Sequence, residues 1–277
     1  MNNTFSIQRF GLLLKRQWLE FGKIYLVSLA VIFGIFLVFY GYYYKEVLDR
    51  LEMPLSYNSR RLNFREPLFI VAGFLFITII ASNYFAHLGQ KSKAIIDLLI
   101  PASTFEKFLT GLFFVIFLGI GSYLLLFYVT DLIFVARFRS LFDGVSNVAT
   151  TVGQAREVKI AEELPYFFEK NNVNEFKALY FLPFLVTSIF FLGSIYFNKF
   201  HYIKTAISVM IFSGVTTYII FKTGEWLMKG KVMINDGDMG NEQITKSMAE
   251  LYVSILFILL TLIFWSITYV RLKEKEV

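Results

Sequence analysis

Two histidines, no cysteine and a few loop carboxylates carry most of the reactive chemistry of this 277-residue chain. The lack of cysteine removes disulfides, thiolate nucleophiles and thiolate-bound metals. His87 and His201 stand in no metal-ligand spacing, and no H-E-x-x-H or G-x-S-x-G string occurs. Glu162-Glu163 and Asp236 with Asp238 are paired acids that an acid–base site on a lipid substrate would use, although such loop pairs are usually solvated surface. A phosphate-binding loop needs G-x-x-x-x-G-K-[ST], so that backbone amides wrap the phosphates and a hydroxyl holds magnesium. The nearest string, Gly224 to Val232, has one residue too many between its glycines and a valine in place of the hydroxyl. The sequence therefore assigns no catalytic, cofactor-binding or metal-ligating residue, and no cofactor.

The elements that would carry any function are membrane spans. Six runs contain no Asp, Glu, Lys or Arg: Ile24 to Tyr44, Pro67 to Gln90, Phe108 to Thr130, Ala178 to Asn198, Thr205 to Phe221 and Leu251 to Val270. A helix rises about 1.5 Å per residue and the hydrocarbon core is about 30 Å thick, so each run is close to a crossing length. Hydrophobic residues make up 56% of the chain and charged residues 17%, a balance that a soluble core cannot hide. The fold class predicted is an all-α polytopic membrane protein, a single domain over 1–277. It has an N-terminal amphipathic helix over 5–23 and six spans near 24–44, 67–88, 108–130, 178–198, 203–221 and 250–270.

With the N-terminus inside, the inner segments hold 12 basic residues in 53 positions and the outer segments 15 in 98. Basic residues mark the cytoplasmic side most reliably in short segments, so both termini are expected in the cytoplasm. The net charge of +6 is then an orientation signal and not a nucleic-acid footprint.

Before the first span, Phe10, Leu13, Leu14, Trp18 and Phe21 recur at three- and four-residue spacing, while Arg9, Arg16, Glu20 and Lys23 mark a second face. This pattern predicts a helix lying on the membrane surface, its basic face on lipid headgroups or on a partner. Between the second and third spans, Lys93 to Ile100 reads as a short helix with Ile95, Ile96 and Leu99 on one side and Asp97 on another, ended by Pro101. Ser103-Thr104-Phe105-Glu106 then fits a capping box, read here as punctuation for the third span. Isoleucines and a leucine on a cytoplasmic loop require lipid or a protein partner.

This layout, with the string Leu98-Leu99-Ile100-Pro101-Ala102-Ser103 followed by Glu106-Lys107, resembles the membrane-spanning permease subunits of ATP-binding-cassette transporters, type-2 exporter class. The resemblance covers nearly the whole chain and is architectural more than motif-based. It implies that Lys93, Ile95, Ile96, Asp97, Leu99, Ser103 and Glu106 belong to a segment that docks on a separate ATPase subunit. It also implies a homodimer or paired permease in a bacterial cytoplasmic membrane, with substrate passing between two bundles. Aromatic-rich spans favour a lipid-like or amphipathic substrate, and membrane lipids join the expected partners.

The rivals are an ion-coupled carrier, a membrane scaffold and a lipid-modifying enzyme. An ion-coupled carrier needs an ionisable group within the membrane. Asp131, at the outer end of the third span, is the candidate, although it reads more simply as an interface marker. Tyr40, Tyr42, Tyr43 and Tyr44 read as an interfacial aromatic belt. Gly111, Gly119 and Gly121 read as close-packing points, and Ala206, Ser213 and Thr217 as a stripe for a neighbouring helix or a second copy. Pro183 is expected to kink the fourth span.

Overall fold

The computed structural model describes residues 5–49, 62–89, 95, 97, 99–141, 146–151, 154–159, 165–169, 177–228 and 239–275. Its helices are α1 (Ile7–Asp49), α2 (Arg65–Tyr84), α3 (Thr104–Leu112), α4 (Gly121–Leu141), α5 (Leu182–Tyr196), α6 (His201–Met228) and α7 (Met239–Lys275). They contain six stretches long and apolar enough to cross a membrane: Ile7–Glu46, Arg65–Leu88, Thr104–Leu141, Ala178–Tyr196, His201–Thr223 and Glu250–Lys275. The chain is a multi-pass helical membrane protein.

The first helix differs from its sequence expectation. The residues predicted to form a separate surface helix are helical, but they are the opening turns of α1, which runs unbroken through Lys23 and Ile24 for 43 residues. At about 1.5 Å per residue this is about 65 Å of helix, roughly twice a membrane core. α1 contains no proline, and its Gly11 and Gly22 are not followed by turn residues, so nothing stops propagation.

The third span is also more structured than its run of apolar residues suggests. Between α3 and α4, Phe113–Ile120 winds as a π-helix. Such widening displaces carbonyls from the regular ladder, and hydroxyls collect there. The Tyr25 hydroxyl donates to the Leu118 carbonyl at 3.0 Å, and the Ser122 hydroxyl to the Gly119 carbonyl at 3.3 Å.

Pro183 does not kink the fourth span. It occupies the first turn of α5, after a 3-10 turn over Lys177–Phe181. Proline suits this position because its fixed φ fits a helix start and its missing N–H has no partner to lose there.

Between α4 and α5 lies an element that the apolar runs do not reveal. Strands β1 (Ser146–Thr151) and β2 (Gln154–Lys159) pair antiparallel, Ser146 opposite Lys159 and Thr151 opposite Gln154. Val148, Thr150, Thr151 and Val158 are the β-branched residues that favour this. All other regular elements among the described residues are helical.

The chain's contacts divide it into two compact units. The first comprises Met1–Leu19, Ile77–Ile116 and Phe176–Val277. Here α5 packs on α6 and α7. A Cβ on Gly193 would overlap the Thr205 side chain, so only glycine lets α6 lie this close. Gly111 acts as expected, since a Cβ there would lie 2.6 Å from the Phe191 ring and 2.9 Å from Tyr84. Gly121, by contrast, meets nothing within 4 Å. Ser213 and Thr217 are exposed and Ala206 is half-buried, so among the described residues nothing covers the Ser213 and Thr217 part of that stripe.

The second unit comprises Glu20–Phe76 and Phe117–Glu175. Its interior is aromatic: Phe36 contacts Phe127 and Tyr123 at centroid distances of 5.3 and 5.9 Å, and Phe69 contacts Phe127 at 4.8 Å. The tyrosines of α1 are not a uniform belt. Tyr42 is exposed, Tyr43 and Tyr44 pack on Phe138, and Tyr40 is fully buried with its hydroxyl 2.8 Å from Asp131.

Candidate functional site

Glu106 sits in the first turn of α3, where a carboxylate meets free backbone N–H groups. Both halves of the capping box are present: the Glu106 N–H donates to the Ser103 hydroxyl at 3.2 Å, and the Ser103 N–H donates to Glu106 Oε2 at 2.9 Å. The other carboxylate oxygen does more than punctuate a helix. Oε1 accepts from the Ser6 backbone N–H at 2.8 Å and from Arg9 Nη2 at 3.1 Å, leaving Glu106 with no solvent exposure. One residue thus starts α3 and fastens the beginning of α1 to it.

Nine positions earlier, Asp97 makes a parallel set of contacts. Ile95 and Asp97 are helical, and the Leu99 N–H donates to the Ile95 carbonyl at 3.2 Å. The Asp97 carboxylate lies 3.7 Å from Arg16, 3.9 Å from Lys107 and 4.0 Å from His87. Lys107 also donates to the Asp97 backbone carbonyl at 2.8 Å, closing the loop onto α3. His87 Nδ1 lies 3.0 Å from the Tyr84 carbonyl, which directs Nε2 toward Asp97. Burial pushes the Asp97 carboxyl up, but the neighbouring His87 ring and the charges of Lys107 and Arg16 outweigh this and hold it below its ordinary value of 3.8.

A depressed carboxyl pKa stabilises the folded state above the unfolded value, and this contribution disappears as pH falls through the lower folded value. The difference in melting temperature between the wild type and Asp97→Asn therefore shrinks as the pH is taken from about 5 to below 3.8. Thermal scans in detergent over that range measure it. A difference that grows below about pH 5 would contradict the pairing.

Arg9 and Arg16, expected to face lipid headgroups or a partner, are the counter-charges of Glu106 and Asp97. Charge pairing across about a hundred residues leaves no trace in local periodicity, whereas a basic helical face does. Phe10 and Leu14 are half-buried, and Trp18 lies 6.5 Å from Phe114 and is 40% exposed. Above this charged base, Ile95 is 58% and Leu99 78% exposed. Lys93 and Ile96 of the expected segment, the loop acids Glu162, Glu163, Asp236 and Asp238, and Leu98 lie outside the described residues.

The sequence reading missed Ser6 and His87 as members. Lys107 ends the quoted string, but its contact with Asp97 is not read from it. His87 carries no such signal, since the 3-10 turn Ala86–Gly89 places it. His201 belongs elsewhere, 3.3 Å from the Asn83 side chain. No cluster of His, Asp and Glu able to hold a metal ion occurs among the described residues.

Two carboxylates thus tie this loop to its neighbours, Glu106 through Ser6 and Arg9 of the N-terminal segment and Asp97 through Arg16, His87 and Lys107, and the described Ile95 and Leu99 are exposed beside them. No family model, no curated protein and no solved structure matches this chain.

Proposed function

We propose that this chain is the permease subunit of an ATP-binding-cassette exporter in a bacterial cytoplasmic membrane, working as a pair with both termini in the cytoplasm. ATP is hydrolysed by a separate subunit that docks on the loop around Ile95 and Leu99. The observation that carries this reading is the exposure of those two side chains on a segment whose Asp97 is fixed by Arg16, His87 and Lys107. An apolar surface on a clamped base transmits force, whereas one on a loose loop would not. The six crossing-length helices and the distribution of basic residues also support it. The substrate class proposed is lipid-like or amphipathic, on the aromatic character of the spans.

An ion-coupled carrier would draw on Asp131, a buried carboxylate near a span end. Its neutralisation by Arg65 at 3.0 Å favours a structural role.

The test is purification from native membranes in mild detergent, with co-purifying chains identified by mass spectrometry. A stoichiometric ATPase accompanies the wild type. Ile95→Glu weakens its association by at least about tenfold, because a charge is forced against an apolar pocket, and leaves the melting temperature unchanged. Unchanged association, or no ATPase across several detergents, would overturn the proposal.

A further inference from the structure

The second unit contains a buried carboxylate that the permease reading does not use. Asp131, on α4, is 2% exposed and receives three groups. Oδ1 takes Arg65 Nη1 at 3.0 Å and the Tyr40 hydroxyl at 2.8 Å, while Oδ2 takes the Phe167 backbone N–H at 2.8 Å. The same Arg65 Nη1 donates to the Pro165 carbonyl at 3.1 Å. A buried ion pair thereby grips the backbone of Pro165–Glu169, a segment with no helix or strand of its own.

The rest of the segment fits the same pattern. Glu169 accepts from the Tyr166 N–H at 2.8 Å and from Arg139 at 3.2 Å, and the Arg139 guanidinium lies 4.1 Å over the Tyr166 ring. Phe167 packs on Phe69 and Phe127 at centroid distances of 5.0 and 4.9 Å. Phe168, 51% exposed, covers their edges at 6.0 and 6.2 Å. Five residues thus form a strap over the ends of α2 and α4.

The two halves of this fastening differ. The fixed half, Asp131 with Arg65 and Tyr40, joins α4, α2 and α1 and survives intact if the strap lifts. The movable half consists of two main-chain hydrogen bonds, the Arg139–Glu169 contacts, and three rings, Phe167 and Phe168 on an aromatic surface and Tyr166 against Leu62, Val135 and Phe138. Lifting therefore leaves the Asp131–Arg65 ion pair and the Tyr40 hydrogen bond in place.

We propose that Pro165–Glu169 is a closable strap latched by Asp131, opening and shutting as a unit and uncovering the Phe69 and Phe127 rings when it opens. The inference does not depend on the permease reading, and its test involves no partner.

That test is hydrogen–deuterium exchange of the full chain in detergent, reading the peptide that spans 165–169. The N–H groups of Tyr166, Phe167 and Glu169 are all hydrogen-bonded, so the strap is protected, but less than the interior of α4. Arg139→Gln combined with Phe168→Ala loosens only the movable half. It speeds strap exchange at least tenfold and leaves α2 and α4 unchanged. Strap exchange at the rate of free amides in the wild type would show that no latch is closed. Equal protection of strap and helices, with both shifting together in the variant, would show a fixed part of the core. Either result overturns the proposal.

Discussion

Asp131→Ala destabilises the protein by about 3–5 kcal/mol, the scale of a buried ion pair that loses one member. Arg65 is only 8% exposed, so its charge is left buried, while the Tyr40 hydroxyl and the Phe167 N–H lose their acceptor in the same step. Replacing both charges by apolar residues of similar volume, Arg65→Met with Asp131→Leu, recovers the part of this loss due to the uncompensated Arg65 charge, and leaves the part due to the Tyr40 hydroxyl and the Phe167 N–H. Thermal unfolding of the two single variants and the double variant in one detergent gives the cycle. A single-variant loss below about 1 kcal/mol would place the pair among solvent-screened contacts, and the buried geometry would be wrong.

The second large effect is at Glu106. Glu106→Ala removes the acceptor from the Ser6 N–H, the Ser103 N–H and Arg9, and costs about 2–3 kcal/mol, the range for hydrogen bonds to a charged group. The figure is lower than for Asp131 because Arg9 is 32% exposed and recovers water. The loss is also localised. Limited proteolysis or exchange shows the first turns of α1 released, while α5 and α7 keep their protection. Glu106→Gln, which keeps an acceptor oxygen for the backbone but not the charge, loses less. If Glu106→Ala leaves the first turns of α1 as protected as before, those turns are held by something other than this carboxylate.

Both residues show where sequence reasoning succeeds and where it stops. Glu106 was read as a helix cap, and the cap is present, because capping depends on residues three positions apart. Its contacts with Ser6 and Arg9 span about a hundred positions and have no local signature. Asp131 was read as an interface marker. Charge-free runs locate spans, but they do not reveal that Arg65, just before one run, and Asp131, just after another, meet in the interior. The same limit applies to Arg9 and Arg16, because a basic helical face looks alike whether it faces headgroups, a partner or carboxylates of its own chain.

By itself the sequence determined the six apolar lengths, and with them a helical membrane protein, since a bilayer forces every backbone group to bond within its own segment. It also determined the start of α3, through the capping box. Tertiary structure alone decided that α1 continues through its expected break, that Pro183 begins a helix, that Phe113–Ile120 widens into a π-helix, and that Asp97, Glu106 and Asp131 are hubs. Span length and caps follow from hydropathy and neighbouring residues. Ion pairs and strap contacts follow from which helices lie side by side, and no local pattern encodes that.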